Sequence, residues 1–132
     1  MQLCAYIHFN GNCRKAMTFY KKCLGGKLSF QTVSELPQSE SLPSFMQRSI
    51  LTALLQTKHF QLAGTDLNNE SVYLPDNSFS LLLQCDSESD LKRLYKQLSA
   101  GGVKTQLLQK NFYGVVIGSV KDRFGINWVL QC

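Results

Sequence analysis

Residues 3–9 form a run rich in apolar and aromatic side chains that stops at Asn10-Gly11-Asn12, which reads as a strand followed by a turn whose last residue can cap a helix. Over residues 13–24 the apolar side chains Ala16, Met17, Tyr20, Cys23 and Leu24 recur at helical spacing, with Arg14, Lys15, Lys21 and Lys22 elsewhere, so one face of a helix is buried. Gly25-Gly26 ends it, because glycine accepts the left-handed conformation a helix C-terminus needs. A strand over 27–33 and an exposed, mobile loop over 34–47 follow, the loop carrying Pro37 and Pro43 among polar residues. Strands over 48–56 and 59–65, joined by a tight turn at Thr57-Lys58, complete the first half, and a polar loop with Pro75 covers 66–77.

The same order then recurs. A strand over 79–85 leads to a helix starting at Ser87, where Ser87 and Asp90 form a shortened capping box and Leu91, Leu94, Tyr95 and Leu98 make the apolar face. Gly101-Gly102 closes that helix, and strands over 103–108, 113–120 and 126–130 follow. The two double glycines lie 76 positions apart, and the same offset carries Ile7 onto Leu83 and Phe9 onto Cys85. Two copies of one βαβββ unit, each a four-stranded sheet with a covering helix, are the simplest reading.

Composition narrows the class. At 132 residues and 44% hydrophobic content the chain can bury a core but is short for two independent domains, so one α+β domain is expected, with halves at about 1–66 and 78–132. No apolar run reaches the roughly 20 residues of a membrane span, nor does a leader pattern open the chain, which predicts a soluble cytoplasmic protein. Five cysteines, odd in number and without a Cys-x-x-Cys pair, argue for reduced thiols over a disulfide framework or zinc site. The net charge of +5 is dispersed over the expected helix surfaces and shows no basic stripe, which argues against nucleic-acid binding.

Four stretches carry a family resemblance: Tyr6-Ile7-His8-Phe9-Asn10-Gly11-Asn12-Cys13, Ala16-Met17-Thr18-Phe19-Tyr20 with Leu24-Gly25-Gly26, the strand from Gly114 to Gly118, and Asp122-Arg123-Phe124-Gly125-Ile126-Asn127-Trp128. Together they resemble the PhnB-like branch of the vicinal oxygen chelate (glyoxalase/bleomycin resistance/dioxygenase) superfamily, from about residue 3 onward. The resemblance implies paired βαβββ modules curving around a cavity, often in a homodimer. In metal-using relatives four inward positions supply His or Glu to a divalent ion that acts as a Lewis acid. By motif these positions fall at Ala5, Thr52, Ser80 and Val129, and none is a good ligand. His8, three residues from Ala5, is expected on the opposite strand face, and His59 beside a turn.

The resemblance thus implies the fold of a metal-using enzyme without its ligands. No metal, cofactor or catalytic residue is assigned. Some members of the branch are described as methyltransferases, but a nucleotide-type methyl donor needs a Gly-rich strand-to-helix turn in a parallel sheet, and Asn10-Gly11-Asn12 holds one glycine. Asp66 and Asp122 are read as closing comparable turns in the two halves, and Phe124 and Trp128 as packing residues. The expected ligand-binding set is Thr52, Gln56, Ser80, Gln84, Tyr113 and Asn127, with Gln131 beside it. Such amides and hydroxyls orient a ligand well and activate water poorly. A metal-independent small-molecule binder, homodimeric and of unassigned ligand, is the leading expectation. The alternatives are a metal-dependent lyase, isomerase or dioxygenase with displaced ligands, and a module that contacts another protein through the 34–47 loop.

Overall fold

The computed structural model describes residues 1–37, 39–67 and 78–132. The chain divides into two compact units, Met1–Leu74 and Pro75–Cys132. In the first, β1 (Ala5–His8), α1 (Cys13–Leu24), β2 (Lys27–Thr32), α2 (Ser44–Gln47), β3 (Ile50–Gln56) and β4 (Gln61–Thr65) follow in order. The second holds β5 (Leu81–Gln84), α3 (Glu88–Ser99), β6 (Val103–Lys110), β7 (Val116–Lys121) and β8 (Asn127–Gln131). The sheet orders are β1-β4-β3-β2 and β5-β8-β7-β6, each with one parallel pair, β1 with β4 and β5 with β8. Both units are βαβββ modules of one topology, down to register: Leu55 pairs with Leu62 as Val120 pairs with Trp128.

Each module buries its core between helix and sheet. In α1 the buried side chains are Cys13, Ala16, Met17, Tyr20 and Cys23, and the helix packs chiefly on β3, where Ala53 and Leu55 have no exposed surface. In α3 they are Leu91, Tyr95 and Leu98, packed on β7 and β8 with Val120, Trp128 and Leu130. Burying a side chain of this size stabilises by about 1.5–3 kcal/mol, which makes helix-to-sheet packing the dominant local term.

The double glycines do more than end helices. Gly25 and Gly101 take positive φ at the helix ends. A Cβ on Gly26 would sit 2.6 Å from the Gln56 carbonyl oxygen, and one on Gly102 would meet the backbone of Lys121 and Asp122. The second glycine of each pair therefore lets β2 or β6 start against the end of the neighbouring strand.

Several expected boundaries change. The strand over 3–9 is paired only at Ala5–His8, and that over 79–85 only at Leu81–Gln84. The strand over 113–120 starts at Val116, because the Asn111 carboxamide oxygen accepts from the amides of Tyr113 and Val115 and folds 111–115 into a turn. The 34–47 segment is not a featureless loop: it contains 3-10 turns at Val33–Glu35 and Ser39–Ser41 and the short α2, with the Gln47 carboxamide donating to the Leu42 carbonyl at 2.8 Å. Of the loop expected over 66–77, residues 68–77, including Pro75, lie outside the described residues.

Helix entry also departs from expectation in the first module. Asn12 holds the cap position of α1 but makes no side-chain cap bond. The Asp66 carboxylate does that work from beyond β4, accepting from the Cys13 amide at 3.0 Å and from the Ile50 amide at 3.1 Å. In the second module Ser87 caps α3 locally, accepting from the Asp90 amide. Asp66 and Asp122 are consequently not counterparts. Asp122 follows β7, and its topological match is Thr57, which follows β3.

Candidate functional site

The sheet face opposite each helix is the surface on which a ligand could be held, since the other face is filled by the helix. Register decides which side chains lie there. In the first module a Cβ on Gly64 would meet Phe9, Cys13 and Met17, so Gly64 faces α1, and its partners Ile7 and Ala53 face the same way. Ala5 and Ile7 therefore belong to the helix side. Tyr6 and His8 belong to the opposite face, where Tyr6 is 53% exposed and the two rings meet edge to face with centroids 5.1 Å apart. The His8 ring nitrogen Nδ1 lies 3.3 Å from the Leu67 carbonyl oxygen.

This reverses two expectations. Ala5 is not on the outward face, and His8 is. Anchoring β1 on motif spacing displaced its register by one residue, which flips every side chain of a strand. The sequence did hold a signal: Ala5, Ile7 and Phe9 share one parity, while Tyr6 and His8, with polar tips, share the other. Thr52 and Gln56 lie on the same face as Tyr6 and His8; Thr52 is half-buried opposite Gln31, and Gln56 is exposed opposite Lys27 and Gln61.

In the second module a Cβ on Gly118 would meet Tyr95, which fixes Gly118, Leu130 and Leu83 on the helix side. Gln84, Asn127, Val129 and Gln131 are on the opposite face, as expected for them. Gln131 donates from Nε2 to Oε1 of Gln84 at 2.7 Å, and the hydroxyls of Thr105 and Ser119 are 2.9 Å apart. Asn127 is half-buried opposite Lys121. Ser80 is exposed and precedes β5 by one residue. Tyr113 is 88% exposed in the Asn111 turn, its ring against Phe112. Of the expected set, the structure brings Gln84 directly onto Gln131 and sets Thr52 and Gln56 on one face of β3.

The Asp-x-Phe-Gly-x-x-Trp motif is structural. Asp122 is 4% exposed; its Oδ1 accepts from the amides of Phe124 and Ile126 at 2.8 and 3.0 Å, and its Oδ2 from the Trp128 indole at 2.8 Å. That carboxylate is engaged in holding a turn, and Trp128, 2% exposed, packs under α3. Neither is available to a ligand.

The donor chemistry bears on a divalent ion. Ala5, Thr52, Ser80 and Val129 offer two hydroxyls and two apolar side chains, and Ala5 is on the helix side of its sheet. Among the described residues no three His, Cys, Asp or Glu side chains converge as metal ligands. These residues do not fit the ion that metal-using relatives hold. Two of the thiols are held in the protonated form: burial, then the Asp66 charge, pushes the Cys13 thiol up to about 12, and burial first raises that of Cys85. No helix among the described residues is long and apolar enough to cross a membrane.

A family model described as 3-demethylubiquinone-9 3-methyltransferase matches residues 1–131. Protein YjdN of Escherichia coli K12 is 28% identical over 142 residues, covering 99% of this chain and 95% of its own length. The crystal structure of protein PA1353 from Pseudomonas aeruginosa superposes with a TM-score of 0.87 at 30% identity, over 100% of this chain and 97% of that one. The PhnB protein from Bacillus cereus superposes at 0.74 with 17% identity, over 99% and 98%. Solved glyoxalase/bleomycin resistance proteins share the fold at 12% to 15% identity and TM-scores of 0.53 to 0.65. The chain belongs to the family described as 3-demethylubiquinone-9 3-methyltransferase, and its fold is that of the PhnB protein and of the solved glyoxalase/bleomycin resistance proteins.

Proposed function

We propose that this chain is a small-molecule-binding protein of its superfamily that works without a resident metal, as a cytoplasmic homodimer. The observation that carries the reading is the chemistry of the sheet faces opposite the helices. They present neutral amides and hydroxyls, Thr52, Gln56, Gln84, Asn127 and Gln131, with the edge-to-face pair Tyr6 and His8 added to the expected set. Amides and hydroxyls fix a ligand's orientation through directional hydrogen bonds, and an aromatic pair supplies apolar contact. Ser80 and Tyr113 belong to the proposed set from the margins, one ahead of β5 and one in the Asn111 turn.

The family's description names a methyl transfer. A nucleotide-type methyl donor is held at a glycine-rich turn between a strand and a helix of a parallel sheet. Among the described residues each sheet has a single parallel pair, and the β1-to-α1 turn carries one glycine, Gly11. Binding is therefore favoured over that chemistry.

A thermal-shift screen of small organic molecules, followed by calorimetry on a hit, tests the reading. Thr52→Phe is expected to weaken binding at least tenfold while leaving the melting temperature within a few degrees. Gln84→Ala and Tyr6→Ala should each cost about 1 kcal/mol of affinity. A stoichiometric divalent ion in protein purified without chelators, or a ligand indifferent to all three substitutions, would sink it.

A further inference from the structure

The second module sets two thiols side by side. β5 runs parallel to β8 with Leu83 opposite Leu130 and Gln84 opposite Gln131. The Cys85 amide donates to the Gln131 carbonyl at 2.8 Å, completing the Gln84–Gln131 rung. Cys132 thus lies beside Cys85, one residue past the last paired rung on each strand. Its backbone is fixed from the other side by Val116, through bonds of 2.9 and 3.0 Å in the two directions.

Both cysteines continue the parity of Leu83 and Leu130, so both lie on the helix side of the sheet. Neighbouring strands are about 4.8 Å apart, and the Cα atoms of bonded cysteines usually lie about 4.4–6.8 Å apart. That spacing falls within the Cα range of a bonded pair. Both are free thiols, Cys85 buried and Cys132 half-buried. Burial and then the neighbouring Cys132 raise the Cys85 thiol, which leaves Cys132 as the sulfur that meets a dissolved oxidant.

We propose that Cys85 and Cys132 form a peroxide-responsive pair that closes to a disulfide and ties β5 to β8. In the first step the Cys132 thiolate attacks hydrogen peroxide; the O–O bond breaks, water leaves, and the sulfur is oxidised by two electrons to a sulfenic acid. In the second, the Cys85 sulfur attacks the Cys132 sulfur; the S–O bond breaks, and the departing hydroxide takes the Cys85 proton as a second water. Two thiols and one peroxide become one disulfide and two waters, and a small thiol of the glutathione class reverses the change. The bond lies one residue beyond the Gln84–Gln131 pair and two before Ser87, the cap of α3, so it fixes the strand ends that carry both.

The test uses the full chain, reduced, freed of reductant and treated with equimolar hydrogen peroxide, then unfolded and alkylated. Mass spectrometry is expected to find the chain lighter by two hydrogens, with Cys85 and Cys132 in one cross-linked peptide that dithiothreitol separates. The oxidised form should melt about 5–10 °C higher, as closure of a long loop predicts. Cys132→Ser, a change at a half-buried position, should fold normally and lose both the cross-link and the gain. Cys85 recovered as its alkylated thiol, a cross-link to any other cysteine, or a cross-linked form that melts no higher would overturn the proposal.

Discussion

The two modules share a topology and a register, yet they secure the same two stress points with different chemistry. After β7 the chain turns on the buried Asp122 carboxylate, which gathers two amides and the Trp128 indole. After β3 the matching turn rests on an exposed hydroxyl: Thr57 Oγ1 accepts from the amides of His59 and Phe60 at 3.2 and 3.0 Å. Helix entry is exchanged in the opposite sense. The second module uses a local serine, and the first uses a carboxylate brought from the far end of the module. A duplicated fold thus constrains where a cap or turn must be satisfied, and leaves open which residue satisfies it.

The sharpest way to break this comparison is at the turns. Asp122→Ala strands three donors, one of them the buried Trp128 indole, and is expected to cost about 3–4 kcal/mol, against about 1 kcal/mol for Thr57→Ala at its counterpart. Denaturant unfolding of the two variants measures the difference. Equal costs would show that the carboxylate is no more than a local turn former.

The second glycines should behave alike in the two modules, except that Gly26 adds a positive φ that Gly102 lacks. Gly26→Ala and Gly102→Ala each drive a Cβ into backbone and are expected to cost about 2–3 kcal/mol, whereas Gly114→Ala, with nothing within 4 Å, should cost about 1 kcal/mol from its positive φ alone. Melting temperatures rank the three.

At the helix entries, Asp66→Ala removes bonds to Cys13 and Ile50 and should cost about 2 kcal/mol, against about 1 kcal/mol for Ser87→Ala. At neutral pH the smallest effect concerns Cys13, whose thiol is pushed from 9.0 up to about 12. Above pH 9 the unfolded chain releases this proton while the folded one keeps it, so stability falls between pH 9 and 12. Cys13→Ala should flatten that decline, and Cys13 should resist alkylation in the native protein at pH 8.

What could be read in the sequence follows the range of the interactions. Helices α1 and α3, the Ser87 cap and the duplication rest on spacings within a few residues or on a repeated pattern, and they were legible. Strand ends were overdrawn because apolar content does not reveal where pairing stops; residues 113–115 look like strand until the Asn111 side chain claims their amides. The facing of β1 was misread because it was anchored on motif spacing, although its own alternation placed Tyr6 and His8 correctly. The Asp66 cap had no local signal at all, since its partner lies 53 residues away.

That distance has a kinetic consequence. One carboxylate joins the start of α1, the start of β3 and the end of β4, and while its bond to Ile50 needs only the β3–β4 hairpin, its bond to Cys13 cannot form until almost the whole first module has been threaded into place. The second module's corresponding contacts close within six residues. Hydrogen exchange pulsed during refolding should therefore protect α3 and the β7–β8 turn before the amide of Cys13, making the first module the late step in assembly.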